Sequence, residues 1–331
     1  MEKPIFYVSI SPHIRDVDTV PRIMWTVFIV LLPQLFLATW VFGPRVLLVA
    51  LVSILSCVVV EAISQRLLGR PVTIKDGSAA LTGLLLAYVL PPGVPISLPL
   101  WGSVMAIFVA KQLMGGLGYN IFNPALVARA FLAAGFPVAM TTTWLEPFAW
   151  RNQADAISSA TPLYLLKHYG PEALSGRFGG YENLLKNFFF GLQSGSIGET
   201  SAALLLAGGV FLIYRRIITW HIPVATLATV ALLSWIFGGE GLFKGDPLVH
   251  LLSGGIILGA FFMATDYVTS PSLPLSRIIF GVGVGALTVL IRLRGGYPEG
   301  VCYAILLMNC FVPALDEWIR PKRFAPPKVR T

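Results

Sequence analysis

The only long stretch of soluble character in this sequence, residues 141–200, contains Asp155-Ala-Ile-Ser158-Ser159-Ala160-Thr161-Pro162, where an acid and three hydroxyls precede a proline. Thr161 reads as a helix N-cap and Pro162 as the first helical residue, with Gly170 just past the end of the short helix that follows. Threonine-proline helix starts are common, and capping alone is a sufficient reading. The same geometry has a chemical consequence, because the free N–H groups of a helix start favour a phosphate. A phosphoester on the Thr161 hydroxyl would lie where the helix dipole stabilises it.

Carboxylates at the ends of apolar runs form a second group. Glu61, Asp266 and Asp316 each stand where an ionised side chain is costly in hydrocarbon and is therefore a candidate for function. The alternative is that they reach water or pair with Arg66, Arg277 and Arg320. Asp266 belongs to Ala264-Thr-Asp-Tyr-Val-Thr-Ser-Pro271, a composition able to offer oxygen ligands to a hard cation. His250 reads as a satisfied interfacial histidine. Gly281-Val-Gly-Val-Gly285 imitates a nucleotide-binding loop, but inside an apolar helix it is small-residue helix packing. Cys57, Cys302 and Cys310 lie in apolar runs without a CxxC pair or a histidine at ligand spacing. Neither a disulfide nor a metal or iron–sulfur centre is expected from this chain alone.

The elements that must position these groups are membrane helices. Of 331 residues, 56% are hydrophobic and only 12% charged, whereas a soluble domain is roughly a quarter charged. A formal charge of +8 would suggest nucleic acid for a soluble protein. Here the basic residues fall between apolar runs, where they orient helices in a bilayer, and no nucleic-acid partner is expected. The runs lie at about 24–42, 46–63, 78–91, 98–116, 122–140, 201–214, 222–238, 248–265, 276–291 and 300–318. An all-α polytopic membrane protein of about ten spans is predicted, with no cleavable signal peptide because the segment from Met1 to Arg22 lacks an apolar core.

Orientation follows from lysine and arginine between the runs. With a cytoplasmic N-terminus, that side holds Lys3, Arg15, Arg22, Arg66, Arg70, Lys75, Arg215, Arg216, Arg277, Arg320, Lys322, Arg323, Lys328 and Arg330, 14 in all. The other side holds 8, of which 4 lie in the 141–200 loop: Arg45, Arg151, Lys167, Arg177, Lys186, Lys244, Arg292 and Arg294. Both termini are therefore expected in the cytoplasm and the loop outside it. The chain divides into a cytoplasmic tail 1–23, a first five-helix repeat 24–140, the extracytoplasmic loop 141–200, a second repeat 201–318 and a basic tail 319–331. Ser97-Leu-Pro-Leu100 recurs as Ser272-Leu-Pro-Leu275, and Gly118-Tyr119 as Gly296-Tyr297, at matching places in the two halves. An odd number of spans per half inverts the second, an arrangement that encloses a site near the midplane.

Several stretches together resemble a known family. Asp155 to Thr161 resembles the Asp…Ser-x-Ala-Thr flavinylation motif of the RnfD/NqrB family, membrane subunits of the Rnf and Na⁺-translocating NADH:quinone oxidoreductase complexes. Further family-like stretches are Asp76-Gly-Ser with Leu90-Pro-Pro92, Asn120-Ile-Phe-Asn-Pro-Ala-Leu126, Gly195-Ser-Ile-Gly-Glu-Thr-Ser201 and Met263-Ala-Thr-Asp-Tyr-Val-Thr-Ser-Pro271. Any one is weak; the set is specific. The tail of about 23 residues before the first run is similar to RnfD, whereas NqrB usually carries a longer one. One departure is Tyr267, where the family often has proline.

The resemblance implies FMN joined through its phosphate to Thr161, with Asp155, Ser158, Ser159 and Ala160 completing the motif. A threonine hydroxyl is a poor unassisted nucleophile, so a separate flavin transferase is implied. It also implies a non-covalent riboflavin in the helical core, near Asn120, Asn123 and Pro124, whose amides would either meet an isoalloxazine edge or tie together a broken helix. In the family, acids at the positions of Glu61, Asp266 and Asp316 are associated with Na⁺ or H⁺ coupling. Lys111 and Arg129, inside predicted helices, then neutralise a flavin or a partner carboxylate, or, for Lys111, snorkel to the cytoplasmic face.

The expected function is that of a flavin-carrying electron-transfer subunit of an ion-translocating ferredoxin:NAD⁺ oxidoreductase in a prokaryotic cytoplasmic membrane, working between other membrane and peripheral subunits. No catalytic residue of its own is expected. The competing readings are an NqrB-like subunit of a quinone reductase, a solute channel or transporter of inverted-repeat fold, and a structural anchor. The Thr161 loop separates them, since a pore has no use for a flavinylation motif.

Overall fold

The structure, a computed structural model, describes residues 18–151, 160–239, 241–297 and 299–319. Among them the secondary structure is helical, without a β-strand. Helices α1 (Val20–Phe42) and α2 (Arg45–Leu67) form a long hairpin, followed by the short α3 (Ser78–Tyr88) and by α4 (Ser97–Ser103), which runs on as a π-helix over Val104–Gln112. Next come α5 (Pro124–Gly135) and α6 (Pro137–Thr142), then α7 (Pro162–Arg177) and α8 (Tyr181–Phe190) in the polar region. The second half holds α9 (Ala202–Tyr214), α10 (His221–Phe237), α11 (Pro247–Leu252), α12 (Ile256–Leu258) continued as a π-helix over Gly259–Met263, α13 (Pro274–Arg294) and α14 (Val301–Ile319). By length and composition α1, α2, α13 and α14 can each cross a membrane.

Several apolar runs are less regular than their composition predicts. The run 248–265 is broken at Ser253-Gly254-Gly255, where Gly254 takes φ +70 and the Ser253 carbonyl accepts from Arg292 Nη2 at 3.1 Å instead of closing a helical turn. The run 122–140 breaks at Phe136-Pro137 between α5 and α6. In the run 78–91, α3 stops at Tyr88, ahead of Pro91-Pro92. Its 11 residues rise about 17 Å, roughly half of a hydrocarbon core. Freed carbonyls at such depth must be satisfied by the protein. Val89 O accepts from Arg129 Nη1 at 3.0 Å and Leu90 O from Ile197 N at 3.1 Å. The second donor belongs to Gln193–Ser201, which enters the bundle between α8 and α9 and is buried throughout.

Small residues set the closest helix contacts. A Cβ on Gly83 would come within 2.6 Å of Ile54 Cα, and Ser53 Oγ donates to the Gly83 carbonyl at 2.7 Å, locking α3 on α2. The same device joins α13 to α10: a Cβ on Gly281 would lie 2.8 Å from Ile222 O, and Thr226 Oγ1 donates to Gly281 O at 3.2 Å. The glycine run Gly281–Gly285 is therefore packing surface, as its apolar setting implies.

Hydrogen bonds define two ends of the bundle. At one, Trp25 Nε1 donates to Lys75 O at 3.5 Å, Arg70 Nη1 to Gln112 O at 3.0 Å, Arg277 Nη1 to Thr219 Oγ1 at 3.3 Å and Ser272 N to Asp316 Oδ2 at 2.8 Å. At the other, Phe148 N donates to Val41 O at 2.8 Å, Arg45 Nη2 to Gly93 O at 3.2 Å and Ser201 Oγ to Phe189 O at 3.1 Å. The polar helices α7 and α8 cap this second end.

Candidate functional site

At the first end, three of the distinctive stretches meet around one cavity. Its walls include Ser78 from the start of α3, Lys111 from one π-helix, Asn120, Asn123 and Pro124 at the entry to α5, and Phe261, Phe262 and Asp266 from the other π-helix and its exit. Each polar group is held by its element's ends. Asp76 Oδ1 accepts from Ser78 N at 2.9 Å, and Asn123 caps α5 by accepting from Ala125 N at 3.1 Å and Leu126 N at 3.4 Å. Asn123 Nδ2 also donates to Met263 O at 3.2 Å, so the same side chain ties α5 to the second π-helix. π-Helical turns concentrate at functional sites because they misalign side chains from the regular ladder.

Asn120, Asn123, Pro124 and Asp266 are thus brought together, and a flavin can be tested against them. Asn120 Nδ2 donates to Phe122 O at 3.2 Å, while its Oδ1 is buried without a hydrogen-bond partner among the described residues. A buried orphan acceptor beside the aromatic and aliphatic walls of Phe261, Phe262 and Leu85 suits a flat heterocycle with one polar edge. The cavity's roughly 80 Å³ holds a few waters, whereas drug-sized ligands occupy roughly 300 Å³ or more. The orphan acceptor and the walls suit one edge of an isoalloxazine, but the cavity as it stands is too small for the ring, which enters only where wall side chains move apart.

Behind the cavity lies a buried ion pair. Lys111 Nζ stands 2.6 Å from Glu61 Oε1 and donates to Ser78 Oγ at 2.6 Å, and Gln112 Nε2 donates to the same Glu61 oxygen at 3.0 Å. Lys111 is 2% exposed and does not snorkel. Two of the expected alternative partners are not used: Glu61 pairs with Lys111 in place of Arg66, and Arg277 donates to Pro271 O and Thr219 while Asp266 accepts from Thr269 Oγ1 at 3.2 Å; the third, Arg320, lies outside the described residues. Asp316 is at the same end but apart from the cavity, fixed by Ser272 N. Tyr267, the departure from the family pattern, donates its hydroxyl to Ile217 O and ties the loop to the end of α9.

Thr161 occupies the opposite end. Asp155, Ser158 and Ser159 lie outside the described residues. Thr161 caps α7, its Oγ1 accepting from Tyr164 N at 3.3 Å, with Pro162 at the first position. Gly170 ends the first segment as predicted, with φ +80, but Pro171 restarts the helix at once and α7 continues to Arg177. Ala160 O accepts from Ser194 Oγ at 3.0 Å and from Arg177 Nη1 at 3.4 Å, while Arg177 also pairs with Glu146 at 2.6 Å. A phosphate on Thr161 Oγ1 would stand at the first turn of α7 with the Arg177 guanidinium beside it, and the residues present fit the group. Along α7 runs a cleft of about 1180 Å³ lined by Leu163, Leu166, Lys167, Phe237, Leu290 and Arg294, with volume for a flavin ring. Lys167 donates to Gly295 O and Tyr297 O, and burial pushes its ammonium below the usual lysine range.

Between the ends lies a group that the sequence discloses only in part. Arg129 pairs with Glu299, the buried Glu199 lies within electrostatic reach of both with its Oε1 unpartnered among the described residues, and Arg292 donates to His250 O at 2.5 Å. Arg129 reads in the sequence as an intramembrane charge, and in the fold it neutralises a carboxylate. Glu199 stands inside the stretch from Gly195 to Ser201 with no role legible there, and Glu299 beside Gly296-Tyr297 looks like loop. Gln112 and Ser78 give no signal beyond their adjacency to Lys111 and Asp76. His250 is buried, with Nδ1 unpartnered among the described residues.

Comparison with known proteins fits this arrangement. The model of the NQR2, RnfD, RnfE family matches residues 7–325. The chain is 49% identical to a subunit of the proton-translocating ferredoxin:NAD(+) oxidoreductase complex of Clostridium ljungdahlii, over 98% of this chain and 97% of that protein. It is 44% identical to the corresponding subunit of the Na(+)-translocating ferredoxin:NAD(+) oxidoreductase complex of Acetobacterium woodii, over 98% and 96%. Its counterpart in the ion-translocating oxidoreductase complex of Stutzerimonas stutzeri is 41% identical, over 93% and 92%.

Proposed function

The chain belongs to the NQR2, RnfD, RnfE family, an all-α multi-pass membrane protein, and we propose that it is the RnfD-type subunit of an ion-translocating ferredoxin:NAD⁺ oxidoreductase complex, carrying electrons on flavins. The observation that carries this reading is spatial. Stretches far apart in sequence, Asp76-Gly-Ser78, Asn120–Leu126 and Met263–Pro271, converge on one cavity, while Thr161 caps a helix at the other end of the bundle.

The reading includes FMN on Thr161, attached by a separate transferase, and riboflavin at Asn120, Asn123 and Pro124. Bound flavins supply the one- and two-electron chemistry; this chain's residues bind, orient and screen them. Arg177 and the first turn of α7 hold the phosphate, and the Asn120 amide takes the polar edge of the ring in the cavity. Asp266, on the cavity wall, and Glu61, behind Lys111, are the cation-coupling acids; Asp316 serves at the same end. The named relatives translocate protons in one case and Na⁺ in another, so the coupling ion is set by detail within a shared scaffold.

Ten spans in two inverted halves, with both termini in the cytoplasm, complete the proposal. In support, α1 begins at the cavity end whereas α9 ends there, so the halves start in opposite directions. Intact-mass analysis of the denatured chain, with and without Thr161, tests the flavin assignment on which the rest depends.

A further inference from the structure

Glu61 and Gln112 keep acceptor atoms that the fold does not use. Both side chains are buried, and Glu61 Oε1 receives both Lys111 Nζ at 2.6 Å and Gln112 Nε2 at 3.0 Å. Glu61 Oε2 and Gln112 Oε1 have no hydrogen-bond partner among the described residues. Buried acceptors in native proteins are rarely left unpaired, and a cluster of them beside a carboxylate marks a place for a cation. Lys111 completes the set. Its ammonium rests on Glu61 Oε1 and on Ser78 Oγ, which in turn donates to Asp76 Oδ1 at 2.8 Å, so two oxygens hold a single positive charge. A desolvated monovalent ion would ask for the same surroundings.

Lys111 also faces the other way. It lines the cavity that contains Asp266, so one buried lysine stands between carboxylates on two sides. It lies near the end of the π-helix Val104–Gln112, whose wide turns hold excess residues relative to an α-helix. Passing one such turn into α-helical geometry rotates the residues after it and moves Lys111 without unfolding the segment.

We propose that Lys111 is a tethered cation that competes with the translocated monovalent cation for Glu61. With Lys111 on Glu61 the position is closed. When negative charge gathers in the cavity, on Asp266 or on a bound redox group, Lys111 turns toward it. Glu61, Gln112 Oε1 and Ser78 Oγ then take up a sodium ion or a proton. Glu61 keeps one positive partner in both arrangements, as a low-dielectric interior requires. Uptake at Glu61 is thereby tied to charge in the cavity without a direct contact between them. This inference rests on the ion-translocating reading above.

The test uses the oxidised, purified complex at rest, so it is independent of turnover. Bound ²²Na⁺ is counted by equilibrium dialysis, and proton uptake by a pH indicator, for the wild type, Lys111→Met and Lys111→Met/Glu61→Gln. Competition predicts one additional sodium ion bound by Lys111→Met over both other proteins or, where the ion is a proton, one proton more than the double variant holds and as many as the wild type, whose ammonium carries it; sodium and proton readouts separate the two ions. Equal binding by Lys111→Met and the double variant overturns it. Should Lys111→Met not assemble, the wild type still decides. Its reduced-minus-oxidised infrared spectrum must contain a carboxylate band that Glu61→Asp shifts, and a Glu61 band indifferent to reduction overturns the switch. A complex that moves no ion during turnover would sink the functional reading instead, leaving the resting competition measurable.

Discussion

Ser194 Oγ donates to the carbonyl of Ala160 at 3.0 Å, so the buried segment Gln193–Ser201 grips the residue immediately before Thr161. The threonine is positioned both by its own helix and by a length of chain rooted in the bundle core. A neutral hydrogen bond of this kind is worth about 1 kcal/mol. Ser194→Ala should therefore leave the complex assembled but increase local opening around Ala160 by about fivefold, read as faster amide exchange at residues 160–164. Unchanged exchange there would mean that Arg177 alone holds the loop.

Thr161 is the expected site of the flavin phosphoester. Co-expressed with a flavin transferase, the wild-type chain should retain one FMN after denaturation, Thr161→Ala none, and Thr161→Ser an adduct, since serine keeps both the hydroxyl and the cap. An adduct persisting on Thr161→Ala would move the site elsewhere, with Thr141, Thr142 and Thr143 next in the same polar region.

The polar region should face away from the cytoplasm. Glu182 is exposed on α8, and in a background lacking Cys57, Cys302 and Cys310 a cysteine at that position should react with an impermeant maleimide in intact cells. Labelling that appears only after permeabilisation would invert the orientation and bring Thr161 to the cytoplasmic side.

Asp266 should be needed for coupling and dispensable for flavin attachment. Asp266→Asn keeps the Thr269 contact in shape but removes the charge. The assembled complex should retain FMN on Thr161 and lose ion-dependent turnover or shift its ion affinity severalfold. Ion uptake into vesicles with an unaltered concentration dependence would show the carboxylate to be merely structural.

Arg129 serves two partners, Glu299 and the Val89 carbonyl. Stranding a buried charge costs about 3–5 kcal/mol, and an unsatisfied carbonyl a further 1–3 or so. Arg129→Met should thus lower the melting temperature in detergent more than Glu299→Gln, which keeps an acceptor for the guanidinium. A larger drop from Glu299→Gln would place the main support on the Glu299 carboxylate instead.

Much of this is legible in the sequence. Composition and run length make the membrane class plain, Thr161-Pro162 gives a true N-cap, and the glycines from 281 to 285 pack a helix face because they sit inside an apolar run. Asn123 and Asp266 are separable from background because an amide before proline and an acid before a helix break are rare in apolar sequence. Partners are not legible. Glu61 meets Lys111 across 50 residues and Arg129 meets Glu299 across 170, and no local pattern encodes such pairings. Nor does run length reveal that 248–265 breaks at Gly254, since that break depends on Arg292 taking the Ser253 carbonyl from another helix.

The unfinished end of α3 carries a consequence for biogenesis. Helices enter the membrane in the order of synthesis, yet the carbonyls of Val89 and Leu90 wait for donors, one on Arg129 and one on Ile197, and Arg129 in turn waits for Glu299. The first half therefore emerges from the insertion machinery with polar backbone still uncovered, and its completion is deferred until the ribosome has made nearly the whole protein. Such a chain completes its packing late. A nascent fragment ending before Glu299 would be a ready substrate for membrane quality-control proteases, while the full-length chain, that acid in place, becomes resistant.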